Sequence, residues 1–339
     1  MRSVQELEDR LATPRPALVD DLRKLDGDLV ILGAGGKLGP SLTRLALRGV
    51  TAAGTGAKVY AVSRFSQAGL AEALAAEGAV VVNADVADDG ALRDLPDAAN
   101  VVFLVGSKFG TVGQEAATWA TNTFLPGRVA QRFRGSRLAA LSTGNVYPLT
   151  EVGSGGATEQ TPVGPVGEYA MSCLGRERIF THFSDGYQTP LALIRLNYAV
   201  EMRYGVLVDL ATAVHEGREI DLTTGHANLV WQGYANEVTL RSLLHARSGP
   251  PFILNVTGPE TISIRQAARR FSELLGKPAI FAGAEAETSL LSNAQLCHGL
   301  FGYPDVAVAT LIEQTAAWVE AGLPLLGKPT QFQRRDGRF

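Results

Sequence analysis

Leu29-Val30-Ile31-Leu32 runs without a break into Gly33-Ala34-Gly35-Gly36-Lys37-Leu38-Gly39, and then into a stretch of helical character from Pro40 to Ala46. An apolar strand ended by glycines and followed at once by a helix is the local design that cradles a dinucleotide pyrophosphate. Gly33 permits the tight turn and Gly36 lets phosphates approach the backbone. Gly39 lets the helix pack closely on the strand, so that the helix N-terminus points at the negative charge. The spacing is G-x-x-G-x-x-G, with Lys37 and Leu38 inside the cofactor-binding segment.

The chain beyond this junction keeps the same rhythm. Val59-Tyr60-Ala61-Val62, Ala79-Val80-Val81-Val82, Val101 to Val105 and Leu138 to Leu141 are near-continuous apolar runs, as expected of strands covered on both faces. Helical stretches around 67–77 and 113–134 lie between them, another helix starts near Glu168, and a further strand covers Leu191 to Leu196. Strand then helix, repeated, predicts an α/β fold with a doubly wound parallel Rossmann-type sheet and a smaller α/β C-terminal substrate lobe. Residues 1–26, interrupted by Thr13-Pro14-Arg15-Pro16, read as a helical extension on the domain surface. The dinucleotide-binding domain is expected over 27–197 and the lobe mainly over 198–330, with about 226–256 returning to the first domain and 331–339 as a tail. Further helices are expected at 263–275 and 306–321.

Composition removes several function classes. With 339 residues and a net charge of −3, the chain is long enough for a large core and carries no basic footprint for nucleic acid. Cys173 and Cys297 are its only cysteines, which suits a reducing cytoplasm better than a disulfide framework. No apolar run approaches a membrane span, and Met1 to Asp28 lacks the apolar centre of a signal peptide. Five scattered histidines without Cys/His spacing predict no metal site.

The second strand ends Val62-Ser63-Arg64, with no acid to accept from an adenosine ribose hydroxyl. An Arg at that place accommodates a 2′-phosphate, so NADP is the expected cofactor and NAD the alternative. Arg64 reads equally as a solvated charge. Asp85, with Val86 beside it, stands where it could accept from the adenine amino group or cap the helix from Gly90 onward.

Gly33-x-x-Gly36-x-x-Gly39, Asp85-Val86, Asn122, Leu141-Ser142-Thr143-Gly144-Asn145-Val146-Tyr147-Pro148 and Tyr169-Ala170-Met171-Ser172-Cys173 stand in an order that resembles the extended short-chain dehydrogenases, the NAD-dependent epimerase/dehydratase family. The resemblance continues through Ile194-Arg195-Leu196-Asn197, Phe252 to Gly258 and Ser263-Ile264-Arg265, over roughly residues 28 to 322. It implies that Thr143, with Ser142 beside it, hydrogen-bonds the reacting oxygen and that Tyr169 transfers the proton. It also places Val105 and Gly106 on the nicotinamide side of the cofactor, Asn197 near the nicotinamide amide, and Asn122 behind the active-site backbone.

One family position departs. The lysine one helical turn beyond the tyrosine, which lowers the phenol pKa and holds the ribose, is Cys173 here. A free phenol titrates near pH ~10, so without a cation it stays protonated at neutral pH. A thiol supplies no such charge. Arg176 lies on the same helical face but reads better as a surface or dimer-interface charge, and Lys108, after the fourth strand, reads as a solvated lysine or as a cation of the cleft. Cys173 itself reads as a small apolar filler rather than a nucleophile, since no His partner accompanies it.

These readings predict an NAD(P)-dependent oxidoreductase or epimerase acting on a carbonyl or hydroxyl of a small, sugar-like molecule. The alternative is a catalytically impaired dinucleotide-binding sensor or scaffold. His226 and Trp231 fall where family members bring a substrate-binding arginine, which is absent. The resemblance further implies a homodimer through helices at about 113–134 and 168–183.

Overall fold

The computed structural model describes residues 1–108, 112–328 and 330–338. Phe109, next to Lys108 in the expected loop, and Phe339, the end of the expected tail, lie outside them. Two helices, α1 (Val4–Leu11) and α2 (Pro16–Leu22), precede the first strand, β1 (Leu29–Leu32). Then come α3 (Gly39–Ala53), β2 (Val59–Ser63), α4 (Leu70–Ala76), β3 (Val80–Asn83), α5 (Asp89–Arg93) and β4 (Asn100–Phe103). Next are α6 (Glu115–Trp119), a π-helical turn (Ala120–Phe124), α7 (Leu125–Arg132), β5 (Arg137–Thr143), β6 (Thr150–Glu151), α8 (Gly167–Tyr187) and β7 (Leu191–Leu196). The remainder holds β8 (Ala199–Val200), α9 (Val206–Glu216), β9 (Glu219–Asp221), β10 (His226–Asn228), β11 (Val230–Trp231) and α10 (Gln232–Arg241). It continues with β12 (Phe252–Val256), β13 (Thr261–Ser263), α11 (Ile264–Leu275), β14 (Ile280–Ala282), β15 (Thr288–Ser289), α12 (Gln295–Phe301) and α13 (Val308–Glu320).

Seven strands form one parallel sheet in the order β12-β7-β5-β4-β1-β2-β3. Side chains alternate across it, which explains the unbroken apolar runs. Leu29 and Ile31 enter a core with Leu42, Leu45 and Leu74 on one face; Val30 and Leu32 meet Leu125, Val129 and Phe180 on the other. The predicted α/β Rossmann-type architecture is what forms. A further core gathers around α9, α11 and α13 and reaches Ala192 and Ile194 of β7.

Two local expectations change. The N-terminal helices do not merely lie on the surface: Leu7, Leu11, Leu18 and Leu22 are buried, the first two in the core of the C-terminal elements and the others beneath α3. Each such leucine removed from water stabilises the fold by about 1.5–3 kcal/mol. The helix expected across 113–134 is interrupted by the π-turn before Pro126. No helix among the described residues is long and apolar enough to cross a membrane.

Candidate active site

The glycine turn has the geometry a phosphate cradle needs. Gly33 adopts φ 91°, and a Cβ on Gly39 would stand 2.5 Å from the Gly33 carbonyl oxygen and press on that of Ala34. A side chain at 39 would therefore push α3 away from the turn and close the approach to its N-terminus. This closeness of backbone to backbone is what a cradle for a dinucleotide pyrophosphate requires. Lys37 does not extend into solvent. Its Nζ sits 2.9 Å from the Tyr204 ring centroid and 3.4 Å from the Ala199 carbonyl, and burial lowers its pKa to about 7 despite Glu201 and Asp209 nearby.

A cleft of about 380 Å³ opens from this turn across the C-terminal ends of β1, β4, β5 and β7. Thr143 ends β5 and Tyr169 lies in the first turn of α8, and both line it. Their side chains are hydrogen-bonded to each other, and Tyr169 also bonds Cys173. Thr143 Oγ1 donates to Asn145 Oδ1 at 2.9 Å, which orients the hydroxyl. Burial holds the Tyr169 phenol well above its ordinary pKa; Cys173 adds to this, while Arg176 and Thr143 oppose it. The phenol is thus held in its neutral, protonated form. Cys173 is fully buried, and burial pushes its thiol up as well, which removes it as a nucleophile.

The cations of the site come from outside the Tyr169–Cys173 turn. Lys108, carried by the loop after β4, places its Nζ 6.0 Å from the Tyr169 ring centroid, and burial lowers its pKa to about 8. Arg176 is not the expected surface charge: it is 5% exposed and forms part of the cleft wall. It donates to the Leu141 carbonyl at 2.7 Å, to Asn122 Oδ1 at 2.8 Å and to the Asn122 carbonyl at 3.3 Å. The last acceptor exists because Pro126, four residues on, has no N–H to bond it; proline thus opens the helix and feeds the site. Asn122 in turn accepts from Ser107 N and donates to the Ser107 carbonyl, fixing the backbone beside Lys108.

Ser142 does not turn its hydroxyl to a ligand. It donates to Glu177 Oε1 at 2.6 Å. Glu177 also receives Arg195 Nε at 3.0 Å and Nη2 at 2.6 Å, and Arg195 Nη1 donates to the Tyr147 hydroxyl at 2.7 Å. Arg195 and Glu177 are both buried, so this pair ties α8 to β5 and β7 and fixes Tyr169 against Thr143. Asn197, buried at the end of β7, lines the cleft and donates to the Leu290 carbonyl at 3.3 Å.

Other expected positions are more distant. Gly106 lines the cleft and has no room for a side chain, since a Cβ would lie 2.7 Å from Arg176 Nη2; Val105 and Val86 pack into the core face below β4. Arg64 is exposed beyond β2, its guanidinium 3.6 Å from Asp85 Oδ2. Asp85 does not cap α5: its side chain accepts from Ala87 N, and Asp88 is the N-cap, accepting from Ala91 N at 2.8 Å. Trp231 is buried in the core, and His226 pairs within β10 and β13, away from the cleft. Among the described residues no group of three His, Cys, Asp or Glu side chains is placed to hold a metal.

Sequence reading missed Glu177, Tyr204 and the C-terminal Lys328 and Thr330, which also line or support this cleft. Glu177 carries a faint signal, an acid on the buried face of a helix two turns after Tyr169. Lys328 and Thr330 carry none, because only the returning chain brings them there.

The family model described as "NAD dependent epimerase/dehydratase family" matches residues 29–245. Solved structures share the fold at low identity. The dTDP-glucose 4,6-dehydratase of Streptomyces venezuelae, bound to NAD, aligns with TM-score 0.73 and 18% identity over 86% of this chain and 96% of its own. The Bordetella bronchiseptica enzyme WbmG in complex with NAD gives 0.71 and 19%, over 88% and 95% of the two chains. The UDP-glucose 4-epimerase of Thermotoga maritima gives 0.69 and 14%, over 87% and 99%. No curated protein matched the sequence. With the family model spanning the sheet from its first strand past α10, and the glycine turn and the Thr143–Tyr169 pair within that span, the chain belongs to the NAD-dependent epimerase/dehydratase family.

Proposed function

We propose that this protein is a nicotinamide-dinucleotide-dependent oxidoreductase or epimerase that acts on a carbonyl or hydroxyl of a small molecule. The observation that carries this reading is the hydrogen-bonded Thr143–Tyr169 pair at the rim of a cleft that begins at the glycine turn. Gly33, Gly36, Lys37, Leu38 and Gly39 would hold the pyrophosphate by backbone contact, the Lys37 ammonium itself being turned to Tyr204 and the Ala199 carbonyl, and Gly106 and Asn197 would flank the nicotinamide. A bound nicotinamide would supply or take up the hydride at the reacting carbon.

The chain's own work is then proton handling. Thr143, held by Asn145, donates to or accepts from the reacting oxygen, and Tyr169 Oη gives that oxygen its proton. Because burial keeps the phenol protonated, reduction of a carbonyl suits the site better than oxidation of an alcohol. Lys108 and Arg176 supply positive charge beside the oxygen left after transfer. The sensor or scaffold reading drew on Cys173 alone, and these two cations weaken its ground. Ser142 acts through Glu177 as a positioning residue.

NADP is the cofactor we favour, with Arg64 free to swing from Asp85 to a 2′-phosphate. A homodimer through α6–α8 belongs to the same reading, supported by exposed Trp119, Phe124 and Met171 on those segments, as does a reducing, cytoplasmic location, supported by two free cysteines. The test is consumption of NADPH and NADH with a panel of carbonyl compounds and nucleotide sugars. Tyr169→Phe is expected to lower kcat by about a hundredfold or more while cofactor affinity stays within twofold, as loss of a general acid does. Absence of turnover on the whole panel, or a fully active Tyr169→Phe variant, would sink the proposal.

A further inference from the structure

The cleft is electrically one-sided. Lys37, Lys108, Arg176 and Lys328 line it, and among the described residues no Asp or Glu does. Such an excess stands out in a chain whose overall charge is −3. The nearest acids are already engaged. Glu201 accepts from Arg203 N at 2.8 Å and from Arg203 Nε at 3.0 Å, and Asp209 accepts from Thr330 N at 2.9 Å and Thr330 Oγ1 at 2.5 Å. A dinucleotide pyrophosphate at the glycine turn would be met by backbone N–H groups and the N-terminus of α3, while the Lys37 ammonium is turned to the Ala199 carbonyl and the Tyr204 ring. Arg176 helps form the wall and is committed to the Leu141 carbonyl and to Asn122. Positive charge therefore remains on the side of Thr143 and Tyr169.

Size narrows the ligand further. The C-terminal segment returns across the lobe: Thr330 holds Asp209, Phe332 is buried, and Arg335 donates to Thr288 O and Oγ1 at 2.6 Å each. It fills the neighbouring depression bounded by Asn145, Tyr147 and Tyr198, where about 30 Å³ is left. The cleft offers about 380 Å³, near the low end of small-molecule sites and shared with the reactive end of the cofactor; a second space of about 330 Å³ beyond Tyr204 and Lys328 is lined also by Asp209, Glu219 and Asp221, carboxylates that disfavour an anion there.

We propose that the substrate is a small carbonyl compound bearing a carboxylate or phosphate, whose anion is held by Lys37 and Lys108 beside Thr143 and Tyr169. The two lysines come from separate elements, the turn before α3 and the loop after β4, so together they clamp a ligand from two sides. Lys328 closes the third side from the returning C-terminal segment. Burial lowers the pKa of Lys37 to about 7 and of Lys108 to about 8, so an arriving anion would favour the charged form of both, most of all at Lys37. This rests on the redox reading above, but its binding step can be measured without turnover.

The probes are oxalate and inorganic phosphate, titrated calorimetrically into NADH-loaded protein, with neutral oxamide as control. Saturable binding of one anion and not of oxamide is expected, weakened about tenfold or more in Lys37→Met and Lys108→Met and largely kept in the Lys→Arg variants, as loss of a charge-assisted bond requires. Preference for oxalate marks a carboxylate substrate; preference for phosphate marks a phosphorylated one. Circular dichroism of each variant checks that it is folded. The proposal is overturned if neither anion binds, if the folded Met variants bind unchanged, or if UDP-glucose or dTDP-glucose binds in preference to both anions. Anion binding without turnover of any carbonyl compound would refute the redox reading alone. Turnover confined to neutral carbonyl compounds, with no anion bound, would refute this inference alone.

Discussion

Replacing Glu177 by glutamine tests the buried pair that positions Tyr169. In the native protein the Glu177 carboxylate receives three short bonds, from Ser142 Oγ at 2.6 Å and from Arg195 Nε and Nη2 at 3.0 and 2.6 Å. A glutamine amide offers one acceptor oxygen, and its NH₂ meets a donor. Either Arg195 or Ser142 then loses its partner in a place with almost no access to water. Breaking a buried ion pair from one side costs about 3–5 kcal/mol, because the remaining charge stays desolvated. At about 2.1 cal/mol/K of unfolding entropy per residue, 339 residues give ~0.7 kcal/mol/K, so melting should fall by roughly 4–7 °C. Calorimetry of the wild type, Glu177→Gln, Arg195→Met and the double variant measures this. The double variant should be clearly less destabilised than the sum of the singles, since it leaves no orphaned charge. A single variant within ~1 kcal/mol of wild type, or strictly additive costs, would refute the claim that this pair carries the α8–β5–β7 junction.

Three other perturbations probe the cofactor side. Gly39→Ala puts a methyl against the Ala34 and Gly33 carbonyls, so NADH affinity should drop about tenfold or more with a stability cost of about 1–3 kcal/mol; unchanged fluorescence titration would contradict the cradle. Arg64→Ala should weaken NADPH by about tenfold and leave NADH alone, because the lost bond is to a charged 2′-phosphate; equal effects on both would exclude that role. Lys37 titrates at about 7 in the fold and near ~10.4 unfolded, so between these values the unfolded chain holds more protons. Stability without ligands should therefore rise from pH 7 towards 10, and Lys37→Met should flatten that rise in chemical denaturation. The groups that set this value are Glu201 and Asp209, which favour the charge, and Lys108 and Lys328, which oppose it. A curve of unchanged slope in the variant would assign the dependence elsewhere.

Much of the fold was legible because parallel strands and their crossover helices write strong local patterns. The seven strands of the parallel sheet were found within two residues, since a strand buried on both faces must be apolar throughout, whereas the two- and three-residue strands outside it were not singled out. The glycine turn was equally plain, because Gly33 and Gly39 answer demands of the backbone alone. Helix α6–α7 was misjudged as continuous: Pro126 was visible, but the use made of the freed Asn122 carbonyl depends on Arg176 arriving from another helix. Arg176 and the N-terminal leucines were taken for surface groups for the same reason. Local sequence sets which face a residue occupies, and only the neighbours decide whether that face meets water.

The site divides along the same line. Thr143, Tyr169 and the departure at Cys173 were marked by the family resemblance, and the structure brings Thr143 and Tyr169 into one cleft. The charge that surrounds them was not so marked. Lys108 lies 61 positions before Tyr169 in the sequence and Lys328 far after it, and neither carries a local signature of its role. Sequence by itself determined the parallel sheet, the glycine turn that ends its first strand, and the positions of Thr143 and Tyr169 at the following strand end and helix start. Tertiary structure alone decided that a thiol sits dry beside the phenol while the Lys108 ammonium comes within 6.0 Å of its ring from the loop after β4. Electrostatics acts through space and burial, and neither distance nor desolvation is written in neighbouring residues.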